Sequence, residues 1–208
     1  MTNFLKLFFV SIIILTSACA PKKVETPAIE QRSVDVALTE RRSIERIDAT
    51  LSVVFEKTDS EMHGDAVLDI AQDGDLHMKV YTLGILAMDL TSKNGLVKST
   101  PKLDKNKTAI LTKGLRDCLF WWDLTDFTIR EENDHLILQN ATRQVVLDGR
   151  TMLPQKQRIF FDDGKQLTIS YDNPAQAKGV WYQSKMRIEL SRYAVTLTVR
   201  EITFTERT

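Results

Sequence analysis

Two cysteines, three histidines and a few neighbouring carboxylates are the side chains of this 208-residue chain best able to act on a substrate or hold a metal. His63, His77 and His135 fall in separate strand or turn contexts, and their spacing matches no metal-ligand pattern. Asp73-Gly74-Asp75 and Asp162-Asp163-Gly164 begin like calcium loops but lack the remaining ligands of the twelve-residue pattern, so they read as turns. There is no Gly-x-Ser-x-Gly elbow and no glycine-rich phosphate loop. Cys118 shares a helical apolar spacing with its neighbours and reads as a small buried residue, not as a reactive thiol. The reading is therefore of a chain that is not an enzyme and uses no metal or other cofactor. With 28 basic and 28 acidic residues the chain has no electrostatic case for nucleic acid.

Cys19 is different, because its surroundings give its thiol a task. Lys6 supplies a charged start, and Phe4 with Leu7 to Leu15 supplies an apolar run too short to span a bilayer comfortably. Leu15-Thr16-Ser17-Ala18-Cys19 follows, and resembles the lipobox of bacterial lipoproteins, with Thr16 where a leucine is usual. On that reading residues 1–18 are a signal peptide, and Cys19 becomes a diacylglyceryl-modified first residue. The plainer alternative is a secreted protein cleaved after Ala18 or Ala20. Ala20 stands where an Asp would retain a lipoprotein in the inner membrane of some bacteria, so an outer-membrane anchor facing the periplasm is expected.

The elements needed to position anything else are mostly strands. Residues 19–42 are polar and proline-containing, and read as a tether; a short amphipathic helix is expected from Val34 to Ile47. From there apolar residues recur at every second position: Ala49, Leu51, Val53 and Phe55; Ala66, Leu68 and Ile70; Leu76, Met78 and Val80; Leu86, Met88 and Leu90. Asp73-Gly74, Asn94-Gly95 and Asp163-Gly164 supply tight turns. The alternation breaks once, over Lys102 to Trp122, where Leu111, Leu115, Cys118 and Trp122 have helical spacing; Gly114 weakens the expectation of an unbroken helix. Trp121-Trp122 at its end reads as core or hinge packing, with a sugar-stacking platform as the other use of such a pair. Strands then resume to Phe204.

Residues 43–208 are thus expected to form one mainly β domain with a helical lid. Its sheet should be strongly curved and antiparallel, an unclosed barrel of roughly 11 strands, because so many strands do not stay flat. The helix should lie across the concave face. Either a packed core or an apolar cavity would satisfy this pattern of inward residues.

This order of elements resembles the LolA/LolB-type fold, and in particular LolB-like outer-membrane lipoproteins. The resemblance rests on a lipobox, a tether, early strands, a loop at Tyr81-Thr82-Leu83-Gly84, an internal helix and a run of C-terminal strands. It implies that acyl chains of lipoproteins or other lipids are bound in an apolar cavity, passed from a LolA-like periplasmic carrier. It also implies that Leu83 and Gly84 form a protruding loop that touches the membrane, although Tyr81-Thr82 replaces the family's usual Asn-Pro. The candidates for the cavity lining are Leu68, Met78, Met88, Leu111, Leu115, Trp122, Ile188 and Leu197. The competing reading is a structural lipoprotein that uses the same fold as a docking surface in an envelope complex.

Overall fold

A computed structural model describes residues 33–207. The signal-peptide reading, the acylated Cys19 and most of the tether lie outside the described residues. Helix α1 (Val34–Arg42) is followed by strands β1 (Ile44–Lys57), β2 (Ser60–Ala71), β3 (Leu76–Thr82), β4 (Ile85–Lys93) and β5 (Leu96–Thr100). Helix α2 comprises α-helical Lys105–Ala109, a π turn Ile110–Gly114 and α-helical Leu115–Leu119. Strands β6 (Thr128–Glu132), β7 (His135–Gln139), β8 (Arg143–Asp148), β9 (Pro154–Phe160), β10 (Gln166–Ala177), β11 (Val180–Leu190) and β12 (Tyr193–Glu206) complete the chain.

All twelve strands join one antiparallel sheet in the order β5-β4-β3-β2-β1-β12-β11-β10-β9-β8-β7-β6. Every neighbour is also a sequence neighbour except β1 and β12, so the first and last strands meet in the middle and β5 and β6 are the free edges. The strand beyond the expected eleven is β5, whose side chains are nearly all exposed. Away from the edges burial alternates as the sequence does: Ile47, Ala49, Leu51 and Val53 in β1, Leu68 and Ile70 in β2, and Ile188 and Leu190 in β11 all face one interior.

Helix α2 forces the sheet to curl. Arg116 donates from Nε and Nη2 to the Gln72 carbonyl just beyond β2, at 2.9 and 2.7 Å, while the next residue, Asp117, pairs with Arg143 at the start of β8. Six strand intervals separate β2 from β8, about 29 Å in a flat sheet, whereas a helix with its side chains is only about 10–12 Å across. One helix reaches both only if the sheet wraps around it. The expected unclosed, curved antiparallel sheet with a helix in its concavity is the observed architecture.

Two features hold α2 in place. Gly114 closes the π turn against the sheet, and a Cβ there would lie 2.9 Å from Leu167 Cδ1 and 3.2 Å from Ile188 Cγ2. The second is Asp117, which is almost fully buried yet ionised by Arg116 at 2.8 Å, Lys113 at 2.9 Å and Arg143 at 3.2 Å. Burial pushes its carboxyl pKa up, but the three cations outweigh this and hold it below the usual carboxylate range. Arg143 also donates to the Asp123 carbonyl, and Arg116 pairs with Asp123, so the knot fixes the helix exit as well.

Two expectations need correction. Helix α1 stops at Arg42, and Ile44 and Ile47 belong to β1, because period-two alternation already governs the chain from Ile44. The folded body also begins before residue 43: Val34, Ala37 and Leu38 are buried in the common core, so 34–42 is part of the domain and not tether. Ser33 caps α1, accepting from the Val36 N–H.

Gly114→Val should destabilise the domain by about 1–3 kcal/mol through overpacking against β10 and β11, read as a lower denaturant midpoint. Asp117→Asn should cost about 3 kcal/mol at neutral pH by leaving Arg143 without its buried counter-ion. Because the folded carboxyl pKa is depressed, this contribution is present above the unfolded value and lost as pH falls through the folded one. Melting curves of wild type and variant should therefore begin to draw together only below about pH 4 and meet once the pH has fallen past the lower folded value.

Candidate functional site

The interior splits into a packed middle and two clefts at opposite ends of the strands. Leu68, Met78, Leu115, Ile188 and Leu197 are each no more than 1% exposed. Side chains lining a hollow wide enough for water would keep accessible surface, so these five are packed core and not a cavity wall. Helix α2 fills the space that the sequence left open as cavity or core.

What remains open at one end is an apolar cleft of about 290 Å³. Met88 and Leu111 border it, together with Phe55, Met62, Leu103, Ile110 and Val195. Trp122, the eighth candidate, lies at the other end, in a crevice of about 20 Å³. The apolar cleft is formed by the C-terminal end of β1, the N-terminal ends of β2, β4 and β12, and the first half of α2. Its mouth is polar: Glu56, Lys57, Ser60 and Glu61 also border an open surface trough. Met62 and Met88 give the wall two unbranched, adaptable side chains.

The β3–β4 turn stands at this same end. Leu83 has φ +51° and Gly84 +77°, the pair of positive values that a two-residue hairpin between Thr82 and Ile85 requires. Glycine tolerates this conformation; leucine is disfavoured in it, and asparagine would suit it better. Leu83 is nevertheless 97% exposed, with exposed Ile85 and Leu86 beside it. Thr82 Oγ1 donates to the His63 carbonyl, tying the hairpin to β2, and a register shift at Val80/Tyr81 turns the tip. An unfavourable backbone thus holds an apolar side chain in water, although nothing in the fold uses it as packing.

The remaining chemistry-bearing residues do not assemble. His63 pairs with Glu61 at 2.6 Å, His77 with Asp89 at 3.0 Å, and His135 hydrogen-bonds the Asn133 carbonyl and Gln155. Among the described residues no group of three or more His, Cys, Asp or Glu side chains is placed to hold a metal. Asp73 and Asp163 accept from the backbone N–H groups of Asp75 and Lys165, as turn residues do. Burial pushes the Cys118 thiol far up, away from thiolate formation. Among the described residues no helix is long and apolar enough to cross a membrane.

An unclosed antiparallel sheet wrapped round one internal helix matches the LolA-like fold. The chain is similar to the crystal structure of a LolA superfamily protein from Nitrosomonas europaea, at 9% identity and a TM-score of 0.55, over 85% of this chain and 96% of that one. It is also similar to a DUF1329 family protein from Desulfovibrio piger, at 10% identity and a TM-score of 0.58, over 82% of this chain and 90% of that one. Identities this low establish a shared fold alone. No protein-family model matches the chain, and no curated protein matches it in sequence.

Because Leu83 contributes no packing, Leu83→Asn should raise stability by about 1 kcal/mol through relief of the left-handed conformation. Chemical denaturation should show a higher midpoint with an unchanged slope.

Proposed function

We propose that this chain is an envelope lipoprotein that receives acyl chains in the apolar cleft and hands them to a membrane without covalent catalysis. Support comes above all from the juxtaposition of that cleft with the exposed Leu83 hairpin at one end of the sheet. The LolA-like fold and the lipobox-like Leu15 to Cys19 run agree with it. On this reading Cys19, once acylated, anchors the chain at the periplasmic face of the outer membrane, and a LolA-like carrier supplies the cargo.

The energetics suit transfer. Each methylene moved from water into the cleft gains about 0.8 kcal/mol, so even a short buried segment keeps a chain from the aqueous phase. The cleft is near the lower limit of about 300–1,000 Å³ for ligand pockets, so it grips part of a chain and releases it readily. Further room comes from lifting the first half of α2, which carries Lys107, Ile110 and Leu111 on one wall. Leu83 contributes at most about 1.5–3 kcal/mol on entering a bilayer, enough to orient delivery and too little to anchor the protein.

Mass spectrometry of the purified full chain should find retained lipid, and a fluorescent fatty acyl probe should bind saturably. Leu83→Glu should leave folding and probe binding intact and slow transfer to vesicles by about tenfold or more. A chain that retains no lipid and takes up no probe would rule the proposal out.

A further inference from the structure

The mouth of the apolar cleft carries its charges unevenly, and this bears on which acyl-bearing molecule enters. The buried ring of Tyr193 marks the border, since it lines both the cleft and the open trough outside it. Two cations share this one ring. Lys107, from the first half of α2, places Nζ 5.5 Å from the ring centre, and Arg192, from the β11–β12 turn, places its guanidinium carbon at 5.4 Å. Lys57, the partner of Tyr193 in the β1–β12 ladder, adds a third positive charge to the same rim.

The acids of the rim are mostly engaged elsewhere. Arg187 holds Glu56 at 2.6 Å and Glu189 at 3.0 Å, and Glu61 lies 2.6 Å from His63. Asp104 caps α2 by accepting from the Lys107 backbone N–H, and its carboxylate stays 3.9 Å from Lys107 Nζ. Among the described residues no carboxylate comes within ion-pair distance of Lys57 or Arg192, and Asp59, in the β1–β2 turn, is the rim acid left without a cation. Charges at the border of an apolar cleft are screened less than charges on open surface.

The cleft below the rim is closed. Met88, Ile110, Leu111 and Val195 are all buried, so a ligand cannot pass through and its polar end stays at the mouth. At about 30 Å³ for a group the size of a water molecule, and a methylene is of similar size, 290 Å³ takes on the order of ten carbons of one chain.

We propose, resting on the acyl-transfer reading above, that the ligand is a single-chain amphiphile with an acidic headgroup, a carboxylate or a phosphate set directly beside the chain. The chain enters between Met88 and Leu111, and the head stays beside Tyr193, where Lys107 and Arg192 donate charge-assisted hydrogen bonds and Lys57 adds its field. A zwitterionic head would bring a cation for which only Asp59 is free.

Calorimetry on the purified full chain, at about pH 8 where a carboxylate is ionised, compares ligands that share one dodecanoyl chain, each below its micelle threshold. These are dodecanoate, the lysophosphatidate, the lysophosphatidylcholine and the neutral glycerol monoester. At least one of the two acids should bind about tenfold tighter than the neutral ester, and the tighter acid tells carboxylate from phosphate. Lys107→Gln and Arg192→Gln should each cut the preference for the acid about threefold, and the double reversal Lys107→Glu with Arg192→Glu should abolish it. Raising salt from about 20 mM to about 0.5 M should shrink the same preference in the wild-type chain, a readout that needs no variant. The headgroup inference is overturned, with the acyl cleft intact, if the neutral ester or the zwitterion binds as tightly as both acids, or if charge reversal and salt leave the preference unmoved. If none of the ligands binds, the acyl reading fails and this inference fails with it.

Discussion

The join between the two edges of the sheet governs the rest of the molecule. Strands β5 and β6 are consecutive in the chain yet lie at opposite edges, so the segment between them has to recross the apolar face of the sheet. A segment crossing there must satisfy its own backbone hydrogen bonds, which a helix does internally. Burying α2 buries its one interior acid, and Asp117 is tolerable only because cations from its own helix and from β8 converge on it. The curl of the sheet, the filled middle and the open ends all follow from this crossing.

The two ends differ in physical character because different residues of the one helix reach them. Ile110 and Leu111 face methionine and aliphatic side chains at one opening, and Leu119 to Trp122 face aromatic and amide groups at the other. An adaptable greasy wall suits flexible chains of variable length, whereas the other opening is a tight crevice of about 20 Å³. The π turn and Gly114 lie between, where the helix is pressed most tightly on β10 and β11.

The fold was largely legible because the strands are long and one-sided. Alternation in β1 to β4 and β8 to β12 stated which residues face inward, and Asp73-Gly74, Asn94-Gly95 and Asp163-Gly164 marked their turns. Strand β5 escaped because an exposed edge strand needs no alternation. The lining was harder. Leu68, Met78 and Ile188 carry the same inward signal as Met88, and only the position of α2 decides which of them border open space. The π turn left no trace beyond Gly114, and the Trp122 crevice gathers residues far apart in sequence.

Strand β12 ends beside the start of β1, where the Arg207 N–H donates to the Ser43 carbonyl. The chain therefore enters and leaves the sheet at the end remote from Leu83. Through β2 and β3 the Leu83 tip lies level with about Val54 of β1, some ten residues or about 33 Å along the strand from Ile44. The exposed leucine tip and the point of chain entry thus stand at opposite ends of the body.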